Sequence, residues 1–325
     1  MRLKLVGSMI FSLTMIIGIT TMGIFLISLY LGQGSLIWAF TIAVIFTLFQ
    51  WAIAPSIISR IYRLVPAEKM GYASLVEMVN RIARRAKMRK PPKVYIARIA
   101  LPNAFAFGNI LTGKKVAITE GLLQTLNDDE IEAVLGHELG HIRHKDVEIM
   151  MIVSLLPAIF YYIGRWFYYA SWFRTSSRDE DNPGAIMLII ALASLFIYFI
   201  LSLFMLWLSR VREHYADLHA AETVDEGAIK LSRALVKLHY VNRKMVSRGE
   251  VVPSQLAFKA LFISDPEEKA PIELPARNID ELVISFAKKK ITGREKLKEI
   301  FSSHPLTPKR IRLLLEETKS PLIYS

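Results

Sequence analysis

The amino-acid sequence predicts a mainly α-helical membrane protein in which four transmembrane helices carry a cytoplasmic α+β domain with a small β-sheet. Three observations predict it. Uncharged apolar stretches recur at bilayer length, basic residues collect beside them, and the polar stretches show helical and strand periodicity in turn. The 325 residues are 53% hydrophobic and carry a net charge of +12. Mean hydropathy is +0.34, an apolar surplus that needs a location outside an ordinary soluble core.

From Leu5 to Ser59 there is no Asp, Glu, Lys or Arg. Such a run can cross a hydrocarbon layer of ~30 Å twice, since one crossing takes roughly 20 apolar residues. Gly32-Gln33-Gly34-Ser35 supplies turn chemistry inside it, which predicts spans near Met9–Leu31 and Leu36–Ile58. Arg2 and Lys4 precede the first run as in a secretory signal. That run is too long for an h-region, lacks an A-x-A site and leads straight into another span, so a cleaved signal is not the reading. Ala185–Leu208 is uncharged and predicts a further span. Ile149–Gly164 reads as a span despite Pro157, with Arg165 and the aromatics Trp166, Phe167, Tyr168, Tyr169 and Trp172 as an interfacial group. Residues 1–59 and 148–208 are thus expected to form two transmembrane hairpins, and residues 60–147 and 209–325 the two parts of one soluble domain.

Orientation follows from charge. Arg60, Arg63, Lys69, Arg81, Arg84, Arg85, Lys87, Arg89, Lys90 and Lys93 follow the second span, while the loop between the first two spans has no charge. Positive residues stay inside, which puts both termini and the soluble domain in the cytoplasm. The juxtamembrane position of this basic stretch points to lipid headgroups as its partner rather than to nucleic acid. There is no cysteine, so a metal site would draw on His and carboxylate ligands.

Within the soluble domain, Ala73–Met88 reads as a basic amphipathic helix with Leu75, Val76, Val79, Ile82 and Ala83 on one face. Pro91-Pro92 ends it. Val94–Ile96 and Lys115–Thr119 read as strands bracketing a turn at Thr112-Gly113-Lys114. Asn127-Asp128-Asp129-Glu130 opens a helix, with a capping residue followed by acids in the first turn. From Arg210 onward the chain reads as polar helix, broken by Pro253, Pro266, Pro271 and Pro275.

The helix that opens at Asn127 carries His137-Glu138-Leu139-Gly140-His141. Histidines four apart lie one turn above each other and can share one zinc ion, with Glu138 placed to take a proton from water at the metal. A catalytic zinc takes a third protein ligand. One class of zinc peptidase supplies a His six residues after the second; here that position is Val147, and the Gly position is His144. The remaining source is a Glu on another helix. Glu213, in Ser209-Arg210-Val211-Arg212-Glu213-His214-Tyr215-Ala216-Asp217, is the candidate, with Asp217 one turn further on. Both carboxylates could equally be a solvated helix face, and His214 is a rival ligand. His144 reads as an interface residue, and His219 and His239 as surface or core.

The set HELGH, then RVREHYADLHAA after an apolar stretch, resembles the HtpX-type membrane peptidases of the M48 zinc metallopeptidase family. Pro102-Asn103-Ala104-Phe105-Ala106-Phe107-Gly108 resembles the family's PNAFA-G segment, and His304-Pro305-Leu306-Thr307-Pro308-Lys309-Arg310-Ile311 its HPxxxxRI segment. The resemblance implies a zincin-like peptidase domain with one zinc ion per chain, held by His137, His141 and Glu213. It implies Glu138 as general base, Asp217 as the orienting acid, and Asn103, Ala104 and Phe105 on an edge strand that pairs with the substrate backbone. His304 and Arg310 would stabilise the oxyanion or brace the site. His214 departs from the family pattern, which has Tyr there.

The implied activity is zinc-dependent endoproteolysis of polypeptides, in particular misfolded or damaged membrane proteins at the cytoplasmic face. His141 lies about seven residues from one span and Glu213 about five from another, which puts the metal on the order of 10 Å from the membrane surface. The alternative is a non-enzymatic scaffold or transporter with a structural zinc site. A transporter calls for ionisable residues or broken helices within its spans, and the first, second and last spans have none.

Overall fold

The protein is described here from a computed structural model covering residues 36–173, 183–249 and 278–319. The expected first span and the stretch with Pro253, Pro266, Pro271 and Pro275 lie outside these residues. The chain divides into two compact units. One takes the chain up to Ala52 together with Met150–Met205, and the other takes Ile53–Ile149 with everything from Leu206 onward.

Three helices contribute to the first unit: α1 (Leu36–Ile61), α5 (Asp146–Phe173) and α6 (Pro183–Thr223). Among the described residues, two helices are long and apolar enough to cross a membrane, over Asp146–Trp172 and Gly184–Thr223. Pro157 costs α5 one backbone hydrogen bond without ending it, so the helix continues to Phe173. Arg165 donates to the Tyr169 hydroxyl and lies 4.8 Å over that ring, a use of the interfacial aromatics that satisfies the cation within its own helix.

The second unit holds a four-stranded sheet of order β1-β2-β4-β3, from β1 (Val65–Pro66), β2 (Lys93–Ala97), β3 (Ala104–Asn109) and β4 (Gly113–Thr119). Strand β2 runs parallel to β4, and the other pairs are antiparallel. The glycine turn therefore joins β3 to β4, not the two strands expected to bracket it. The expectation paired the two strongest β-branched runs. The actual partner of that turn, Ala104–Asn109, sets its two phenylalanines among Ala, Gly and Asn, which are depleted in strands. The turn is made by Asn109, whose Oδ1 accepts from the Leu111 and Thr112 amides at 3.1 and 2.9 Å. Gly113 has φ +78°, and a Cβ on Gly108 would lie 2.1 Å from the Gly113 carbonyl oxygen, so both glycines are needed.

Helix α2 (Ala73–Arg85) buries Leu75, Val79, Ile82 and Ala83, the face its periodicity predicts. After the short α3 (Glu120–Thr125), α4 (Asp128–Arg143) opens with a capping box between Asn127 and Glu130. Glu130 also reaches across to Lys237 on α7 (Gly227–Ser247), at 2.7 Å. The core joins α2, the sheet, α4 and α7 with α8 (Ile279–Lys288) and α10 (Thr307–Glu317). Between the last two lies the short α9 (Gly293–Ile300).

Candidate metal centre

Helix α4 packs on the last turns of α6 at two glycines one turn apart. A Cβ on Gly136 would lie 2.9 Å from Val224 Cγ2 and 3.3 Å from Ala220 Cα, and one on Gly140 would lie 3.0 Å from Ala216 Cα. Small residues on both sides let the backbones approach closely, so side chains on α4 and α6 can share one ion. Within HELGH, Gly140 is thus the packing residue between the two histidines, a role its spacing does not announce.

The close approach gathers His137, His141 and Glu213. One ligand atom from each lies within 4.8 Å of the others, the one such metal-holding group among the described residues. His137 Nε2 and His141 Nε2 are 3.2 Å apart, and they lie 3.6 and 3.5 Å from the two oxygens of Glu213. The opposite ring nitrogens are engaged. His137 Nδ1 meets Asp217 Oδ1 at 2.9 Å, and His141 Nδ1 meets Asp146 Oδ2 at 2.6 Å. A carboxylate only accepts, so Nδ1 is the donor in each contact, and in the neutral ring each Nε2 then presents a lone pair. Two imidazole nitrogens and a carboxylate then face one another, and the buried Glu213 Oε2 has the Arg310 guanidinium 3.4 Å away as its cationic neighbour. That donor set, two imidazole nitrogens and a carboxylate oxygen, fits a cation of the zinc type.

Asp146 is the site residue that sequence reasoning missed. Five residues along a continuous helix would carry it away from His141, but α4 ends at Arg143 and Lys145 adopts φ 58°. The chain turns there, and the first residue of α5 comes back against the ring. Arg212, on α6, donates to Asp146 and to the His144 carbonyl.

A second layer lies behind Glu213. Arg310 on α10 grips Asp217 through Nε and Nη2 at 2.9 and 2.6 Å, and its Nη1 lies 3.4 Å from Glu213. At 1% exposure this guanidinium is a buried brace with its donors committed. His304 Nδ1 lies 3.3 Å from Glu213 Oε1. Burial opposes charge on Glu213, but His304, Arg310 and His141 outweigh it and hold the carboxyl well below its usual range. The same contest leaves Asp217 at about 2, with burial opposed by Arg310 and His137.

Glu138 is buried and accepts from the Ala106 amide at 2.7 Å. Burial pushes its carboxyl above the ordinary glutamate range, against the pull of His137 and His141. Ala106 belongs to β3, the end strand of the sheet among the described residues, so Glu138 sits at the sheet's outer edge. Asn103, Ala104 and Phe105 all lie here, but their side chains are buried. Asn103 pairs with Thr119 through its backbone, and Phe105 packs on Tyr62 at 5.0 Å between ring centroids.

His214 stands outside the metal-holding group. His144 is exposed and stacks edge-on against His219 and Tyr215 at 5.4 and 6.2 Å. His219 is a core residue, held down to about 4 by burial and by nearby His144 and Arg143, and His239 is likewise buried.

Comparison with known proteins agrees with this geometry. Residues 71–318 match the model of peptidase family M48. The chain is 35% identical over 284 residues to Protease HtpX homolog 2 of Sulfurisphaera tokodaii, covering 85% of this chain and 84% of that one. It is 34% identical over 317 residues to Protease HtpX homolog 1 of Saccharolobus solfataricus, covering 96% of each. The fold is similar to that in the crystal structure of S. mikatae Ste24p, with TM-score 0.58 and 20% identity over 96% of this chain and 67% of that one. A shared fold at that identity carries no residue roles, but the family match and the relatives do establish kinship. The chain belongs to peptidase family M48 and is a membrane protease of the HtpX type.

Proposed function

We propose that the chain is a zinc-dependent endopeptidase embedded in the membrane by four spans, cleaving misfolded or damaged membrane proteins on the cytoplasmic side as part of protein quality control. The observation that carries this reading is the gathering of one ligand atom each from His137, His141 and Glu213 beside Glu138 and the end strand of the sheet. One zinc ion held there would supply Lewis acidity toward a peptide carbonyl and toward water.

The chain's own residues divide the remaining work. Asp217 and Asp146 hold the two imidazoles in the tautomer that leaves Nε2 free. Arg310 keeps Asp217 and Glu213 ionised in a dry setting. Glu138 takes the proton from the attacking water and passes it to the leaving amine. Its raised affinity for a proton suits both transfers. The outer edge of β3 would accept an extended substrate by backbone hydrogen bonds. With the side chains of Asn103, Ala104 and Phe105 turned into the protein, selection there is for unfolded backbone rather than for a side-chain pattern. That preference suits a substrate whose defining property is loss of structure.

Two further points support the membrane setting. A site shared by His141 and Glu213 calls for an even number of crossings in the chain between them, and α5 and α6 are each long and apolar enough to make one. Glu213 follows the apolar run of α6 by five residues on the same helix.

The test is cleavage of an unfolded membrane protein by the purified full chain, stripped with a chelator and reloaded with zinc. Glu138→Gln is expected to bind zinc as wild type does while losing roughly 10²–10⁴ in rate, the usual share of a general base. Equal cutting by Glu138→Gln, or zinc binding by wild type without cleavage, refutes the proposal.

A further inference from the structure

Helix α9 has its amphipathicity reversed. Glu295 and Glu299, one turn apart, are its least exposed residues. Glu299, at 7% exposure, accepts from the Leu306 amide at 3.3 Å and from Lys309 Nζ at 2.6 Å. Glu295 closes the capping box with Thr292 and meets Lys289 at 3.1 Å. The acidic face therefore turns toward the protein. On the opposite face Leu297, Ile300 and Phe301, at spacings of three and four, are 59%, 42% and 59% exposed. A helix at a water surface arranges these faces the other way round. An outward stripe of Leu, Ile and Phe on one turn calls for an apolar neighbour.

Two observations say what that neighbour is. Arg210 Nη1 holds the carbonyls of Glu299, Ile300 and Ser302 at 2.8, 3.2 and 2.8 Å. Arg210 is the second residue after the apolar run of α6, which ends at Leu208. The C-terminal end of α9 is thereby tied to the point where α6 turns from apolar to charged. The apolar stripe is also flanked by Arg294, Lys296 and Lys298. A short helix with an apolar face, basic flanks and a fixed attachment at the end of a span has the features of an element lying in the bilayer interface beside anionic headgroups.

We propose that α9 is an interfacial foot, its Leu297–Ile300–Phe301 stripe sunk among the acyl chains of an anionic lipid surface. Its position in the chain gives the contact a consequence. The loop that follows places His304 against Glu213, and Glu299 staples that loop through the Leu306 amide. Lipid contact at α9 is thus transmitted to the side chains behind the metal ligands.

The inference rests on α6 spanning the membrane, and the test separates the two. With no native cysteine, single nitroxide labels can be placed at Leu297→Cys, Phe301→Cys, Phe199→Cys in the apolar run of α6, and Glu317→Cys at the exposed end of α10. The full chain goes into bilayers containing phosphatidylglycerol, and collision with oxygen is compared with collision with a polar nickel chelate. Labels at 297 and 301 are expected to favour oxygen severalfold over the label at 317, as the label at 199 does. An oxygen-rich signal at 199 with chelate-rich signals at 297 and 301 overturns the foot alone. A chelate-rich signal at 199 overturns the span and the foot with it. Dipolar broadening between labels at 301 would mean that a second copy covers the stripe, which also overturns the proposal.

Discussion

Asp146 offers the sharpest test of how the site is tuned, because it touches His141 and no proposed ligand besides. Replacing it with Asn keeps the shape and an acceptor for the Nδ1 proton but removes the charge. A hydrogen bond to a charged group is worth about 1.5–3 kcal/mol and a neutral one about 0.5–1.5 kcal/mol. The Asn variant should therefore lose roughly 1–1.5 kcal/mol of support for the imidazole, which is about tenfold in zinc affinity at 1.4 kcal/mol per decade. Asp146→Ala removes the acceptor as well and frees the ring to rotate and change tautomer. The contact is short, at 2.6 Å, and largely shielded, so its full value is at stake. About a hundredfold loss is expected, the upper end for partners of metal-bound histidines. The assay is competition for zinc against a fluorescent chelator, with wild type, Asn and Ala measured on the full chain in detergent. Both variants also strip the buried Arg212 of its carboxylate partner, leaving it the His144 carbonyl at 3.4 Å, so denaturant unfolding is measured alongside and affinities are compared on folded protein. If Asn and Ala both bind zinc within twofold of wild type, or Asn binds worse than Ala, the reasoning from the Nδ1 contact is refuted.

Other consequences follow from the same geometry. Gly140→Ala gains about 1 kcal/mol of helix propensity, but its Cβ would meet Ala216 Cα at 3.0 Å, a backbone atom that cannot step aside. Overpacking at about 1–3 kcal/mol wins, so both thermal stability and zinc affinity should fall together; a stabilised variant with normal affinity would count against close helix packing as the organiser of the site. Arg310→Met leaves Asp217 ionised and dry without its partner, and a loss of about 3–5 kcal/mol in denaturant unfolding is expected. Restored stability in the double variant with Asp217→Leu would support that cause, while a single variant as stable as wild type would remove it.

Much of this protein is legible along the chain because its signals are local. The apolar lengths of the α5 and α6 stretches, the Asn127 cap and the amphipathic face of α2 depend only on neighbours within a turn or a bilayer thickness. HELGH is legible for the same reason: one helical turn puts His137 above His141 whatever surrounds them. Glu213 is legible only as one candidate for a third ligand, since a Glu on a polar helix looks the same whether it faces solvent or a pair of histidines. What selected Glu213 in space was the approach of two helices at Gly136 and Gly140, a contact between residues some 70 to 90 apart in the chain.

Tertiary structure alone decided the rest. It gave the turn at Gly113 to β3, the edge strand that the family resemblance implies but that the turn itself did not identify as its partner. It brought Asp146 onto His141 by a left-handed residue at Lys145, where periodicity would have sent it elsewhere. It assigned Arg310 to Asp217 and turned the acids of α9 inward. Each of these depends on where a chain reverses or what a face meets. Local pattern specifies which faces exist, and only packing specifies what they touch.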